Sequence, residues 1–303
     1  MSRTILIVLP ALVILALLPL GVGGYILGLL TLAYYYAVFA MSWDLLFGFA
    51  GEVNFGPSFL IGVGAYTAAL LNHYAAWPIP ACLPAAAIAA VIAGAVLAIP
   101  ALRLTGPYFG LVTLVAVLLL QNVIVLFAGI TGGEIGLDLP DVLSIDDTTN
   151  YFYALAFMTV SGAILYGLTQ SPVGLILQAS GQDAIEAAAL GFNVTKHKLA
   201  AFCISAFFSG LAGAMLIFYL GTASVGTVVD IAVGVNVIIA AVLGGRRTII
   251  GAAVGSIFLI GAGEILRPLG QLSTFVVSAI ALVVILFFPS GFMGRLLQAG
   301  GRE

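Results

Sequence analysis

Charge is what this sequence has least of. Only 7% of its 303 residues are Asp, Glu, Lys or Arg, whereas 63% are hydrophobic; a soluble domain usually carries about 25% charged residues. A soluble globule this poor in charge would leave much of its apolar surface facing water, because its core cannot enclose all of it. The scarcity of charge therefore excludes a soluble globular protein and predicts one that is dissolved in lipid.

Residues that would bind nucleic acid, metals or nucleotides are lacking as well. The net charge is -3, and Lys and Arg are not clustered as nucleic-acid binding requires. No His, Cys, Asp and Glu residues stand at metal-ligand spacings. No Gly precedes a Lys, so there is no Walker A loop to hold ATP. We expect no nucleic-acid partner, no metal, no cofactor and no catalytic residue in this chain.

Cysteine is nearly absent. Cys82 and Cys203 fall near opposite ends of predicted membrane spans, too far apart for a disulfide, which needs Cα atoms within about 7 Å. We expect both to act as small packing residues.

Long apolar runs are what the chain has instead. About 20 apolar residues cross the hydrocarbon layer of a membrane, and ten runs qualify, which predicts an all-α polytopic membrane protein with a single transmembrane domain over residues 1–303. A run follows at once after the first span, so we interpret that span as a retained helix and not as a cleaved signal peptide. The predicted spans are 4–20, 24–47, 57–73, 81–101, 107–129, 151–170, 198–220, 231–245, 250–267 and 272–289.

The few basic residues predict the orientation, because Lys and Arg near span ends stay on the cytoplasmic side. With the N-terminus inside, eight of them face the cytoplasm and only Arg267 lies outside; the C-terminus is then cytoplasmic too. The acidic loop 130–150 falls on the outer face. The eight are Arg3, Arg103, Lys196, Lys198, Arg246, Arg247, Arg295 and Arg302.

Ten spans divide into a first half, about 1–150, and a second half, 151–303. Five spans in each half require that any internal repeat be inverted, as is common in transporters. Residues 48–70 align weakly with 220–242, where Gly62 meets Gly234 and Ala68 meets Ala240. We expect an inverted 5+5 repeat, although chance similarity in so Gly-rich and Ala-rich a chain is the alternative.

Two segments, 48–57 and 221–230, look too irregular for a helix. Unwound backbone at membrane depth survives only where protein or a water-filled cavity satisfies it, so these segments are candidates for a translocation pathway; ordinary aqueous loops are the alternative. The candidate pathway residues are Glu52, Asn54, Gly56, Ser224, Thr227 and Asn236.

Acidic residues within spans are functional candidates by default. Asp44 and Glu52 lie near the cytoplasmic boundary, where Asp44 is expected to be solvated or to cap a helix. Glu264 and Arg267 are three residues apart and are expected to pair. A cation-coupled secondary transporter using Glu52 and Asp44 is the alternative function that these acids leave open.

The polar loop 171–197 contains a short predicted helix over 180–191. Ser180 and Asp183 have the spacing of a capping box, the alanines favour helix, and Gly191 suits a left-handed C-terminal cap. A helix this short is marginal alone, so it should rest against something.

This loop resembles the EAA loop of ABC permeases. Its matching residues are Glu186, Ala187, Ala188 and Gly191, and runs at 103–109, 193–213 and 243–251 resemble the LivM-type permeases of branched-chain amino-acid importers. Similar runs extend over about residues 43–294. The chain departs from that pattern at Glu52, Asn54, Pro57 and Arg247, where relatives usually carry Gln, Ser, His and often Gly.

The resemblance implies a permease subunit that imports a small solute, most readily a branched-chain amino acid, across the inner (plasma) membrane of a prokaryote. It implies two cytoplasmic ATPase subunits that carry ATP and magnesium, a second LivH-like permease, and an external solute-binding protein. It also implies that loop 171–197 contacts the ATPase. The coupling residues would be Ser180, Asp183, Glu186, Ala187, Ala188 and Gly191.

Overall fold

The computed structural model describes residues 2–104 and 107–270, together with residues 272, 276 and 279. Apart from the two-residue strands β1 (Leu137–Asp138) and β2 (Thr222–Ala223), its regular structure is helical, which confirms the all-α prediction. The helices are α1 (Ser2–Leu17), α2 (Gly24–Asp44), α3 (Pro57–Ala75), α4 (Ile79–Ala101), α5 (Tyr108–Leu126), α6 (Ala128–Thr131), α7 (Asp147–Gln170), α8 (Pro172–Gln182), α9 (Ala184–Ala189), α10 (Val194–Leu220), α11 (Val225–Val228), α12 (Ile231–Gly244) and α13 (Ile249–Leu266).

Seven helical stretches in the described part are long and apolar enough to cross a membrane, which makes the chain a multi-pass membrane protein. They are Gly24–Ala50, Ile79–Ala101, Tyr108–Leu126, Asp147–Gln170, Val194–Leu220, Val225–Gly244 and Ile249–Leu266. Val8–Leu20 is a shorter apolar stretch, and α3 occupies the third predicted span. Apart from residues 272, 276 and 279, the predicted span 272–289 lies outside the described residues, and so do Arg295 and Arg302. The count of ten therefore stays a prediction.

The end of α2 differs from the prediction. We expected Gly48 to open an irregular segment, but the chain continues as a π-helix over Leu45–Ala50, and irregular backbone begins only at Gly51. Gly48 fits inside this helix because the Asp44 carboxylate and the backbone of Arg247 occupy the space that a side chain would need. Wide helical turns of this kind often mark functional positions. Leu45–Ala50 is called the π-segment below.

The second segment predicted to be irregular, 221–230, is also more regular than expected. It contains β2 and the single helical turn α11, whose first turn Ser224 and Thr227 close with reciprocal hydrogen bonds. Irregular backbone is left at single residues on either side of β2, Gly221 and Ser224, and between α11 and α12, at Val229 and Asp230. Two facing hydroxyls at this spacing satisfy the donors of a helix start, and this local effect was missed.

The centre of the bundle is the pair α2 and α10. Their buried faces are joined by a 2.8 Å hydrogen bond between the hydroxyls of Ser42 and Ser209. Helix α10 also packs on α3 and α4, whereas α2 packs on α7, α12 and α13. Where α3 crosses α10, Gly64 lies directly against the backbone of Gly210, the close approach that small residues permit between membrane helices.

Contacts between α3 and α12 are reciprocal. A side chain on Gly62 of α3 would lie 2.5 Å from Val229, just before α12, while one on Gly234 of α12 would lie 3.4 Å from Pro57, the first residue of α3. In the weak alignment of 48–70 with 220–242, Gly62 corresponds to Gly234 and Pro57 to Val229. Each helix thus packs a glycine against the start of the other.

The two ends of the bundle differ in charge. One, called the basic end, carries Arg103, Lys196, Lys198, Arg246 and Arg247; the other, called the acidic end, carries residues 134–147. The end of α3 reaches the acidic end, where Asn72 donates to Asp141 (2.8 Å).

Several interactions close the acidic end. Strands β1 and β2 pair antiparallel, Leu137 with Ala223 and Asp138 with Thr222. The predicted pair of Glu264 and Arg267 is confirmed at 3.1 Å.

The two cysteines, Cys82 and Cys203, are free, and Cys82 is buried.

At the acidic end Asp146 caps α7, accepting from the backbone N–H and the hydroxyl of Thr149 at 2.8 and 2.7 Å. These hydrogen bonds, chiefly that from the hydroxyl, hold the pKa of the Asp146 carboxyl below its usual value because they stabilise the charged form.

Candidate functional site

The segment predicted to contact an ATPase folds as two helices, α8 and α9, at the basic end. Asp183 lies between them and caps α9, accepting from the backbone N–H groups of Ile185 (2.8 Å) and Glu186 (3.0 Å). The capping box predicted for Ser180 is wrong: Ser180 lies inside α8, with its hydroxyl buried and without a partner in the described part of the chain. Asp183, and not Ser180, is the capping residue, because its extended backbone ends α8 and starts α9.

Helix α9 ends as predicted. Gly191 has φ +91°, in the left-handed region that favours glycine. Its N–H donates to Ala188 (2.9 Å), and the N–H of Phe192 donates to Ala187 (3.2 Å), which is the Schellman pattern. Both ends of α9 are therefore locked by local hydrogen bonds.

The faces of α9 are unequal. Ala187 is 1% exposed and packs inward, whereas Ile185 is 82% exposed and Leu190 is 74% exposed. Glu186 and Ala188 are exposed too. This helix belongs to a connection between spans, so these apolar side chains are offered to something other than the bilayer interior.

We expect Asp183→Ala to weaken the start of α9 by about 1 kcal/mol, the usual contribution of a helix cap. Amide hydrogen exchange at Ile185 and Glu186 should then quicken by about fivefold. Ser180→Ala is the matched control and should leave exchange at these two amides unchanged. Faster exchange in the Ser180 variant would instead support the capping box predicted from the sequence.

Helix α8 rests directly on the chain that follows α2. A side chain on Gly181 would lie 2.6 Å from the carbonyl oxygen of Phe49, and one on Gly51 would lie 2.8 Å from Gly181. Gly51 has φ +74°, so glycine is required there both for conformation and for space. Two glycines thus bring α8 into backbone contact with the π-segment.

Glu52 is in an ion pair. Its Oε1 lies 2.7 Å from Nζ of Lys198, at the start of α10, and the two side chains are 20% and 15% exposed. The pair joins the connection between α2 and α3 to α10.

Asp44 is expected to be solvated or to cap a helix, but it is buried, and its side chain makes no capping hydrogen bond at the helix end where it lies. Only 1% exposed, it accepts from the backbone N–H of Arg247 (3.1 Å). Its other carboxylate oxygen has no partner in the described residues. The turn between α12 and α13 folds over it and excludes water.

That turn contains Arg247, one of the positions where the sequence differs from the resembled family. The residue has φ +64°, a left-handed conformation that suits the glycine often found at this position in the resembled family. Its Nε donates to the carbonyl of Gly48 (2.9 Å). The turn is thus fastened to the π-segment through the side chain that replaces glycine.

Two further pathway candidates hold backbone in place. The Asn54 side chain is 1% exposed and accepts from the N–H of Gly56 (2.9 Å), while the Asn54 carbonyl accepts from the Trp43 indole (2.7 Å). Gly56 leaves no room for a side chain against the backbone of Thr113. The connection between α2 and α3 is therefore a braced segment.

The six pathway candidates do not form one site. Glu52, Asn54 and Gly56 lie at the basic end, whereas Ser224 and Thr227 lie beside β2 at the other. Asn236 is half-buried within α12, two residues beyond Gly234, which packs on the start of α3.

Comparison with known proteins decides the family. The profile of the family described as branched-chain amino acid transport system / permease component matches residues 25–289. The chain belongs to this permease family. It is a transport subunit and not an enzyme, in keeping with the resemblance stated from its loops.

Curated relatives are similar in sequence along nearly the whole of this chain. The high-affinity branched-chain amino acid transport system permease protein LivM of Escherichia coli (strain K12) is 28% identical over 320 residues, 94% of this chain and 74% of its own. LivM of Salmonella typhimurium (strain LT2) is 27% identical, over 95% and 74%. BraD of Pseudomonas aeruginosa (strain PAO1) is 26% identical, over 88% and 94%. No solved structure matches the permease.

Sequence reasoning missed a polar group between α5 and α12. Gln121 donates to the carbonyl of Val229 (3.4 Å), in the break before α12, where Asp230 caps that helix. Asn122 is exposed and donates within its own helix, to the carbonyl of Leu118. The sequence does contain a sign of this group, because Gln121 and Asn122 place two adjacent carboxamides in an otherwise apolar span.

Proposed function

We propose that this permease is the transmembrane subunit of an ABC importer and moves a small solute, a branched-chain or related amino acid, into the cytoplasm by alternating access. The observation that carries the proposal is α9, capped at both ends and presenting Ile185 and Leu190 outward. A partner ATPase that binds this surface supplies the work. ATP and magnesium belong to that partner.

In this proposal the basic end faces the cytoplasm, because basic residues are retained there, and the membrane is the inner membrane of a prokaryote. Both termini are then cytoplasmic. The acidic end faces outward, where an external solute-binding protein delivers the solute. Two ATPases and a second, LivH-like permease complete the importer.

Motion passes from α9 to the spans through contacts that leave little slack. Helix α8 lies against the π-segment at Gly181 and Gly51. The ion pair of Glu52 with Lys198 joins the next residues to α10. A displacement of α9 is therefore transmitted to α2, α3 and α10 together, because close-packed elements move as units and do not deform smoothly.

The reciprocal packing of α3 and α12 supports an inverted repeat within the permease. Helix α4 packs on α10 as α13 packs on α2, and α3 packs on α4 as α12 packs on α13. These are corresponding pairs if the offset of the alignment of 48–70 with 220–242 is continued into the flanking helices, which pairs α2 with α10 and α4 with α13. Inverted repeats place the solute between the two halves near the bilayer midplane, where Gln121, Asp230 and Asn236 lie beside the break before α12.

The complete assembly tests this function. Proteoliposomes containing the permease, its co-purifying ATPases and second permease should take up labelled leucine only with ATP inside and loaded binding protein outside. Mass spectrometry of the ligand that co-purifies with the binding protein identifies the solute. Uptake driven by a proton gradient with the ATPases removed would overturn the proposal and favour a cation-coupled transporter.

The buried Asp44, with one unpartnered oxygen in the described residues, is the observation that favours the cation-coupled alternative. Variants at Glu52 distinguish that alternative from the ABC importer. As an ion-pair residue, Glu52 should tolerate the exchange Glu52→Lys with Lys198→Glu, whereas Lys198→Glu alone places two like charges together. We expect the single variant to lose about 1 kcal/mol of stability and the exchange to restore stability and uptake. A proton carrier would lose uptake in both variants.

A further inference from the structure

A cleft between α1, α2, α7 and α13 is not used by the mechanism proposed above. It encloses about 360 Å³, and its walls are almost wholly apolar; they include Leu12, Met41, Gly162, Tyr166, Ala253 and Ile257. Thr159 also faces it, but its hydroxyl donates to the carbonyl of Leu155 (2.7 Å). A cavity that offers so few polar partners does not hold ordered water.

The position of the cleft matches one leaflet of the bilayer. On α13 it extends from Ile250, the second residue of the helix, to Ile257, a rise of about 10 Å. Half of a hydrocarbon layer is about 15 Å thick. The cleft therefore lies within the leaflet at the basic end.

Gly162 helps to keep the cleft open. A side chain there would lie 3.2 Å from the sulfur of Met41 on the facing helix. The gap between α7 and α2 is thus part of the packing, bounded by a glycine on one wall and a methionine on the other.

Two arginines stand at the same end of the hairpin formed by α12 and α13. Arg247 is three residues before Ile250, and the Arg246 guanidinium lies 4.4 Å from the ring centre of Phe47, six residues after Met41. Within the described residues neither arginine forms a salt bridge; Arg246 donates to the carbonyl of Phe47 (3.5 Å) and Arg247 to that of Gly48 (2.9 Å). Each guanidinium has five N–H groups, so most remain free.

We propose that the cleft holds an acyl chain of one anionic glycerophospholipid, whose phosphate is bound by Arg246 and Arg247. The apolar walls accept hydrocarbon, and the arginines, held in place by carbonyls, present N–H groups to phosphate oxygens. Basic sites between spans at the cytoplasmic face recognise anionic headgroups in this way. Because this turn is fastened to Asp44 and the π-segment, the lipid would brace the junction that also meets α8.

Native mass spectrometry of the purified permease tests the proposal. The wild-type protein should retain one phosphatidylglycerol or similar anionic lipid after detergent exchange. Arg246→Gln with Arg247→Gln should lower its occupancy at least tenfold, and Ala253→Phe, which fills the cleft, should do the same. The matched controls, Arg103→Gln at the same end and Val96→Phe on the exposed face of α4, should change nothing.

Several outcomes would overturn the lipid site: no bound lipid in the wild type, equal binding of phosphatidylglycerol and phosphatidylethanolamine, or full occupancy in the Ala253 variant. Displacement of the lipid by millimolar inorganic phosphate would assign the arginines to a free anion instead. Should Ala253→Phe fail to fold, Ala163→Phe fills the same cleft from α7, and Arg246→Gln alone tests the headgroup contact without disturbing the backbone of Arg247.

Discussion

Ile185→Asp is expected to abolish ATP-driven uptake while leaving the membrane domain folded. Ile185 is 82% exposed on α9, so the substitution costs the isolated permease little, yet it places a charge at the centre of the surface proposed to meet the ATPase. Central interface residues contribute 2 kcal/mol or more, which corresponds to at least about 30-fold weaker docking. Co-purification of the ATPases and uptake into proteoliposomes measure the two effects.

Ile145→Asp is the matched control, because Ile145 is equally an exposed isoleucine (96%) but lies at the acidic end. It should leave ATPase co-purification unchanged. Leu190→Asp should reproduce the Ile185 result from the other end of α9. Normal ATPase binding in both α9 variants would refute the docking surface.

Gly181→Val is expected to separate docking from transport. The new side chain would meet the carbonyl of Phe49 and the backbone of Gly51, neither of which can move aside as a flexible side chain could. Helix α8 must then lift from the π-segment, so movements of α9 no longer reach α2. We expect the ATPases to remain bound, with ATP hydrolysis continuing, while solute uptake falls at least tenfold.

Gly167→Val serves as the comparison for this substitution, because nothing lies within 4 Å of a side chain built at Gly167 in α7. It should transport at the wild-type rate. Thermal stability of both variants distinguishes uncoupling from misfolding: a melting temperature lowered only in the Gly181 variant, with loss of ATPase binding, would show that the contact serves folding and not transmission.

The sequence predicted the membrane class because it depends on composition, and apolar runs of sufficient length have few alternatives. It also predicted the left-handed glycine at 191, the pairing of Glu264 with Arg267, and a short helix in loop 171–197. Each of these depends on residues close together in the chain, where periodicity and capping rules apply.

Features that depend on distant residues were not predictable in this way. Whether Gly48 breaks a helix depends on Arg247, which lies next to it only after folding. Likewise, Asp44 is buried only because the turn after α12 covers it, and Glu52 is neutralised by Lys198, 146 positions away. A capping box at Ser180 was locally plausible but lost to Asp183, whose backbone separates α8 from α9.

The pairing of β1 with β2 means that the acidic loop is not an independent flap. Leu139 donates to the carbonyl of Gly221 (3.0 Å) and Leu143 to that of Phe218 (3.0 Å). Together with the strand pairs of Leu137 and Asp138, these hydrogen bonds hold the loop against the end of α10 and the residues that follow it. If the acidic end faces outward, as proposed above, a protein that presses on residues 134–141 therefore also pushes the start of α11. Delivery of the solute at this end of the bundle and the position of α11 and α12 would then be mechanically coupled.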